Sequence, residues 1–344
     1  MTSIDISDVL VRLERLLHAQ LPDAEKVTVT EGEQITGGFS AVTIKAKASI
    51  DGVTQKFVVR RDPPPGQRAN TFDREREWAI LRALTGVVSV PLPATRFYDD
   101  GTYFDSPTIV VDFVEGEPLL RTLQSASDEF ADRAADDFAD LIAMVHDTNV
   151  AALPADFGHP GSWDDHIDAS IEGWRRAEEA LPARDPFFRF VASWLDKHRP
   201  PPVPLCLDHG DIQAGNILVT PDADFVVVDW ECAHIGDPRE DLGWSWMMEA
   251  LAPPAIVGRN IEAFCARYRK RTGLSEDQIN PATLAYGALL GFGRMVGSSC
   301  GTISAAAEGN NRSIITAYSA TSFPGIHSRW LSMIKISEEW QARR

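Results

Sequence analysis

Apolar positions along this chain change period several times, and each change marks a different kind of element. Val9, Leu10, Leu13, Leu16 and Leu17 recur at helical spacing after Ser7, which suits an N-cap, and Pro22 ends the run. Strand-like alternation follows over Lys26 to Thr30, Ala41 to Ile50 and Gln55 to Arg61, with Asp51-Gly52 as the hairpin turn between the last two. Pro63-Pro64-Pro65-Gly66 interrupts the sheet. Trp78, Leu81 and Leu84 then predict a helix that begins near Asn70 and carries Glu75 and Glu77. Two further strands are expected over Thr95 to Tyr98 and Thr108 to Phe113, and Glu115-Gly116-Glu117-Pro118 reads as a hinge.

Beyond the hinge the spacing becomes helical: Phe130, Ala134, Phe138, Leu141, Ile142 and Val145 trace one apolar stripe. Two short strands interrupt it later, Ile217 to Val219 and Phe225 to Val228, joined by the turn residues Thr220 to Asp224. The expected fold class is therefore α+β, in two lobes. Residues 1–115 form a β-rich lobe and residues 116–344 a mostly helical one.

Composition narrows the function. The 344 residues carry a net charge of -17, of which -13 falls in residues 116–344. A surface this acidic argues against nucleic acid or an anionic membrane as partner. No apolar run approaches membrane-spanning length, and Met1-Thr-Ser-Ile-Asp5 lacks the basic start of a signal peptide. Cys206, Cys232, Cys265 and Cys300 form no CxxC pair, so neither a zinc site nor a disulfide framework is expected, and a reducing cytoplasm is the expected location.

Candidate chemistry gathers at the late hairpin. His209-Gly-Asp211-Ile-Gln-Ala-Gly-Asn216 precedes it, and Asp229-Trp230-Glu231 leaves it. The turn thus brings three oxygen-bearing side chains together, Asp211, Asn216 and Asp229. Magnesium favours a few carboxylate and amide oxygens completed by phosphate and water, which suits phosphoryl transfer. Upstream, Thr36-Gly37-Gly38-Phe39-Ser40 stands between two strands, where paired glycines let backbone approach an anion; a plain hairpin would need the same residues. Strand alternation puts Lys56, Val58 and Arg60 on one face.

These residues resemble the aminoglycoside phosphotransferase family of protein-kinase-like small-molecule kinases. The matching stretches are His209-Gly-Asp211-x-x-x-x-Asn216, Asp229-Trp230-Glu231 and Gly236-Asp237-Pro238-Arg-Glu-Asp241-Leu242. The resemblance implies a bilobal kinase-like fold with ATP or GTP between the lobes. Asp211 would receive the proton of the attacking hydroxyl, and Asn216 and Asp229 would hold Mg2+. Gly37, Gly38, Phe39 and Ser40 would cover the phosphates, Arg60 would stand where the family usually has lysine, and Glu77 would be its helix partner, with Glu75 as fallback. Backbone groups of Asp112 and Val114 would meet the base, and Asp241 would brace the catalytic loop. Relatives that resemble acyl-CoA-dehydrogenase-linked phosphotransferases also read Val/Leu-Arg-Arg at the Arg60 position.

The acceptor implied is a small hydroxylated molecule, and the acidic second lobe is compatible with a cationic one. Two other readings stay open. Arginine for lysine at position 60 would suit a nucleotide-binding regulator without transfer activity. His209, Asp211 and Asp229 would also serve as ligands in a metal-dependent phosphohydrolase, although that leaves the β-rich lobe unexplained.

Overall fold

The computed structural model describes residues 5–35, 41–63, 66–67, 73–181, 184–250 and 253–343. Helix α1 (Ile6–Gln20) leads into β1 (Val27–Ile35), β2 (Val42–Ile50) and β3 (Val53–Arg61); α2 (Arg74–Leu84), β4 (Thr95–Asp99) and β5 (Thr108–Asp112) complete the first lobe. Its sheet is antiparallel, in the order β1-β2-β3-β5-β4. The cap of α1 is Asp5, not Ser7: the Asp5 carboxylate accepts from the Ser7 and Asp8 amides at 3.0 and 3.3 Å. A charged acceptor also suits the positive end of the helix dipole, and it draws the helix start back two residues so that Ser7 falls inside the first turn. Likewise α2 starts at Arg74, capped by Asp73, a few residues after the expected start at Asn70.

The two faces of the sheet serve different ends. Val9, Leu13, Leu16 and Leu17 of α1 bury against Ile44, Ala46, Ala48, Phe57 and Val59 on one face. The other face carries Val58, Ile109 and Val111, which join Ile80, Leu81 and Leu84 of α2 in a core that continues to Leu207, Ile217, Val227 and Leu242 of the second lobe. One apolar core therefore spans both lobes, and Arg60 leaves β3 at its edge.

The second lobe begins with β6 (Glu117–Pro118), α3 (Leu119–Gln124) and α4 (Asp128–His146), then α5 (Trp163–Ala180) and α6 (Pro186–Lys197). The segment expected as a hinge ends by pairing: Glu117 and Pro118 lie opposite Val219 and Leu218. Next come β7 (Cys206–Asp208), the hairpin β8 (Ile217–Val219) and β9 (Phe225–Val227), and β10 (His234–Gly236), which pairs with β7. Helices α7 (Arg239–Met248), α8 (Ile261–Thr272), α9 (Pro281–Ala307) and α10 (Ile314–Ala342) close the lobe. Trp174, fully buried, meets the Trp330 ring edge-on at 4.8 Å, in a second core built from α5, α6, α7, α9 and α10. Trp174 is thus a packing residue. Among the described residues no helix is long and apolar enough to cross a membrane.

Candidate active site

The β8–β9 hairpin holds Asn216 and Asp229 beside one another. Its first pair is Ile217 with Val227, and the Val228 amide donates to the Asn216 carbonyl at 3.0 Å. Asp229 then turns through a left-handed conformation, φ 68° and ψ 54°. An L-residue adopts that region at a cost of about 1 kcal/mol or more, and such strain concentrates at functional positions.

The catalytic-loop candidate is pinned from three sides. Asp241 accepts the His209 amide at 2.7 Å and the Gly210 amide at 2.8 Å, so the brace expected of Asp241 is present. His209 Nδ1 accepts the Asp211 amide at 3.2 Å, which leaves Nε2–H to donate to the Val228 carbonyl at 3.0 Å. Burial holds this imidazole below its ordinary pKa, consistent with the neutral tautomer those two bonds require. Gly210, at φ +80°, passes so close to the next segment that a Cβ there would lie 2.4 Å from the Cys232 carbonyl oxygen.

Asp211 is half-buried, and its carboxylate is oriented by three donors. Trp244 Nε1 donates to Oδ1 at 2.7 Å, Gln213 Nε2 to Oδ1 at 2.8 Å and Asn216 Nδ2 to Oδ2 at 3.0 Å. Burial, with the Asp229 charge adding to it, pushes the Asp211 carboxyl up to about 7 against those bonds. Because Asn216 also donates from Nδ2 to the Asp211 carbonyl at 2.8 Å, its amide nitrogen is committed to Asp211 and its oxygen is the atom left for another role.

Arg60 reaches this site from the first lobe. Its Nε lies 3.0 Å from Glu77 Oε1, and its Nη2 lies 2.6 Å from Asp229 Oδ1 and 3.4 Å from Glu231 Oε2. Burial works against the Asp229 charge, but Arg60 outweighs it and holds the carboxyl below its usual range. Glu77 moves the other way, since its burial outweighs Arg60 and Arg74. Glu75 is exposed, so Glu77 is the helix partner.

A second arginine, Arg74, is fully buried. It pairs with Glu77, with Glu231 at 2.7 Å and with Asp62 at 3.3 Å. Sequence reading passed over Arg74, and it gave Glu231 no role beyond the motif. Their only local signals are the three-residue offset from Glu77 and the two-residue offset from Asp229. Four acids, Asp62, Glu77, Asp229 and Glu231, thus face two arginines. Glu77, Asp229 and Glu231 each offer an oxygen within 4.8 Å of the others, a donor set that fits a hard divalent cation.

The structure brings Asp211, Asn216, Asp229, Arg60 and Glu77 to one place. Asp112 stands apart from that cluster: its carboxylate takes Arg96 bidentately at 2.6 Å for both bonds, and its amide donates to the Ala94 carbonyl at 2.9 Å. Val114 follows β5 in the link between lobes. Gly37, Gly38, Phe39 and Ser40 lie outside the described residues.

Comparison with known proteins bears on this arrangement. Residues 31–274 match the model of the phosphotransferase enzyme family. Over 200 residues the chain is 26% identical to acyl-CoA dehydrogenase family member 10 of Mus musculus, a match covering 56% of this chain and 18% of that protein. The chain spans less than a third of the length of the curated relatives it matches. Among solved structures, a Ralstonia eutropha protein whose name assigns it to the aminoglycoside phosphotransferases superposes with a TM-score of 0.67 at 21% identity, over 94% of this chain and 98% of that one. Choline kinase LicA from Streptococcus pneumoniae does so with a TM-score of 0.59 at 16% identity, over 95% and 99%. A further LicA structure holds AMP.

Proposed function

The chain belongs to the phosphotransferase enzyme family, and on that premise we propose that it moves the γ-phosphoryl group of ATP or GTP to a hydroxyl of a small molecule, with Mg2+ required and Asp211 as base. The observation that carries this reading is the convergence of Asp211, Asn216 and Asp229 at the open end of one hairpin, with Arg60 reaching them from the other lobe. AMP in a LicA structure supports a nucleotide co-substrate.

Each side chain then has a defined task. Asp211 accepts the acceptor hydroxyl's proton, and Trp244, Gln213 and Asn216 hold its carboxylate in one orientation before the acceptor arrives. The Asn216 amide oxygen and the Asp229 carboxylate are the groups that would hold Mg2+, and the excess of acids over arginines around Asp229 fits a divalent ion. When bound, the ion supplies neutralisation of phosphate charge. Arg60 presents its guanidinium to the phosphates while Glu77 fixes its direction, a task arginine performs with two edges where lysine has one point charge. On the same reading Gly37 to Ser40 would cover the phosphates and the backbone at Asp112 and Val114 would line the base, in lobes taken as residues 1–115 and 116–344. The acceptor is a small hydroxylated molecule, with cationic compounds included by the acidic second lobe. Four free thiols support a cytoplasmic setting.

A panel of hydroxylated metabolites and antibiotics, screened for acceptor-dependent release of ADP or GDP, tests the proposal. Release that some acceptor stimulates in the native protein, and that Asp211→Ala abolishes, is the expected result. Release unaffected by Asp211→Ala removes Asp211 from the mechanism. The contact between Arg60 and Asp229 at 2.6 Å also suits a second reading, a nucleotide-binding regulator whose metal carboxylate is already neutralised. That protein would bind nucleotide tightly with no acceptor-dependent release across the panel.

A further inference from the structure

Behind the catalytic loop, three buried side chains converge on a point that no hydrogen bond fills. Asp208 of β7, His234 of β10 and Glu240 of α7 are at most 4% exposed. Each offers one ligand atom within 4.8 Å of the others, and Asp208 Oδ2, His234 Nε2 and Glu240 Oε2 have no hydrogen-bond partner among the described residues. His234 Nε2 is 3.6 Å from Asp208 Oδ2 and 3.5 Å from Glu240 Oε2.

The tautomer of His234 decides what faces the two carboxylates. Its Nδ1 lies 3.0 Å from the Cys232 carbonyl, which can only accept, so Nδ1 carries the hydrogen. In the neutral ring Nε2 is then a bare lone pair pointing at two carboxylate oxygens. An imidazolium would instead draw them to the 2.7–2.9 Å typical of a charge-assisted bond, and the separations are much longer. We infer that Asp208, His234 and Glu240 form a binding site for a divalent transition-metal ion, zinc being the ion their nitrogen and oxygen donors suit.

Separations and surroundings agree with that assignment. Bonds of about 2.0–2.1 Å to a tetrahedral zinc put neighbouring donors about 3.3 Å apart, so two of the three separations need change by only tenths of an ångström. Gly236 keeps the space clear, because a Cβ there would lie 2.4 Å from Asp208 Oδ2 and 2.7 Å from His234 Nε2. The outer contacts hold the donors in place. His166 Nε2 bonds the other Glu240 oxygen, and His146 Nε2 lies 3.3 Å from the other Asp208 oxygen. A cavity of about 600 Å³, lined in part by His166, His234 and Arg294, adjoins the cluster and gives an ion a route in. Arg294 Nε lies 3.8 Å from Glu240 Oε2, and its side chain, 40% exposed, can turn to solvent. The neighbouring trio His146, Cys206 and Asp208 is different, since its atoms are already paired with Tyr268, Asp241 and one another.

A bound ion would tie β7, β10 and α7 together directly beneath the catalytic loop, since Asp208 adjoins His209 and Glu240 adjoins Asp241. It would act as a positioning element, independent of the nucleotide's own metal.

Zinc titration of the 344-residue chain, stripped by chelator and kept in a large excess of Mg2+, tests the site by calorimetry and elemental analysis. Asp229→Asn serves as the background, so that the nucleotide-side acids cannot supply the signal. The expected result is one zinc per chain, with affinity reduced about 100-fold in His234→Gln and in Glu240→Gln and unchanged in Cys206→Ser. Circular dichroism of each variant separates lost binding from lost folding, and either of the two site variants suffices if the other fails to fold. Zinc binding that persists in His234→Gln and Glu240→Gln, that disappears in Cys206→Ser, or that is absent from the parent overturns the assignment.

Discussion

Arg60 Nη2 lies 2.6 Å from Asp229 Oδ1, although 169 residues separate them. One guanidinium thereby links the sheet of the first lobe to the acid at the exit of the β8–β9 hairpin, and its Nε edge remains on Glu77 at 3.0 Å. Lysine can keep the charge there but cannot hold both acids by separate edges.

Arg60→Ala is therefore expected to weaken Mg2+-nucleotide binding about 100-fold, roughly 2.7 kcal/mol, within the range for losing one partner of a buried charge pair. Arg60→Lys should fall between that and the native protein, about tenfold weaker. Isothermal titration measures both, and native affinity in Arg60→Ala would contradict the role given to this residue.

Asp211→Asn should lower kcat about 100-fold or more, the scale of a positioned base, while leaving nucleotide affinity near native. Trp244→Phe removes only the 2.7 Å bond to Oδ1. It should cost about tenfold in kcat, the equivalent of one hydrogen bond, with KM for nucleotide unchanged. Steady-state kinetics at saturating acceptor decides the matter; a Trp244→Phe effect confined to KM would assign Trp244 to binding instead.

Arg74→Met removes the fully buried guanidinium shared by Glu77, Glu231 and Asp62. A loss of about 3–5 kcal/mol in urea unfolding is expected. Adding Glu231→Gln should return part of it, because the pair is coupled through a 2.7 Å contact. Strict additivity of the two substitutions would show that the contact carries no energy.

Gly210→Ala must place a Cβ 2.4 Å from the Cys232 carbonyl oxygen at a backbone φ of +80°. Destabilisation of about 2 kcal/mol or more is expected, together with a fall in kcat, since the displaced loop carries Asp211. Alanine tolerated with native Tm and kcat would show that the loop does not need this close approach.

The buried cysteines should be silent toward thiol reagents in the folded protein. Burial pushes the Cys265 and Cys300 thiols up to about 12, and Cys206 and Cys232 also well above their ordinary value. At pH 8 a thiol at 12 has about one molecule in ten thousand ionised. A colorimetric disulfide reagent should thus titrate Cys206, Cys265 and Cys300 only after denaturant is added, with Cys232, the one not fully buried, reacting before them. Immediate reaction of any other thiol at pH 8 would be inconsistent with this packing.

Local pattern made part of this molecule legible and contact across the chain supplied the rest. The β8–β9 hairpin, the α4 stripe and the partnership of Arg60 with Glu77 could be read because each has a short-range signature in alternation, helical spacing or motif. Trp244 and the cluster of Asp208, His234 and Glu240 have none, and Arg74 has only its three-residue offset from Glu77. Their partners lie 33 to 157 residues away for Trp244 with Asp211 and Arg74 with Glu231, and buried polar networks follow no periodicity. The cap of α1 shows a smaller version of the same limit, since Asp5 and Ser7 are both competent acceptors and local sequence does not choose between them. The absence of a CxxC pair argued against zinc in the sequence, but that criterion counts only cysteine ligands. It is blind to an imidazole and two carboxylates gathered by folding.

The pairing of Glu117 and Pro118 with β8 has a mechanical consequence. The connection between lobes is fastened to the same hairpin that presents Asn216 and Asp229, and Gly116 sits so close that a Cβ on it would lie 2.9 Å from the Val219 carbonyl oxygen. Any swing of the first lobe would therefore pivot against the hairpin. If a nucleotide enters between the lobes as proposed, the sheet would tilt while Asn216 and Asp229 stay with their hairpin, and the Arg60 to Asp229 distance, 2.6 Å here, is the separation expected to follow that tilt.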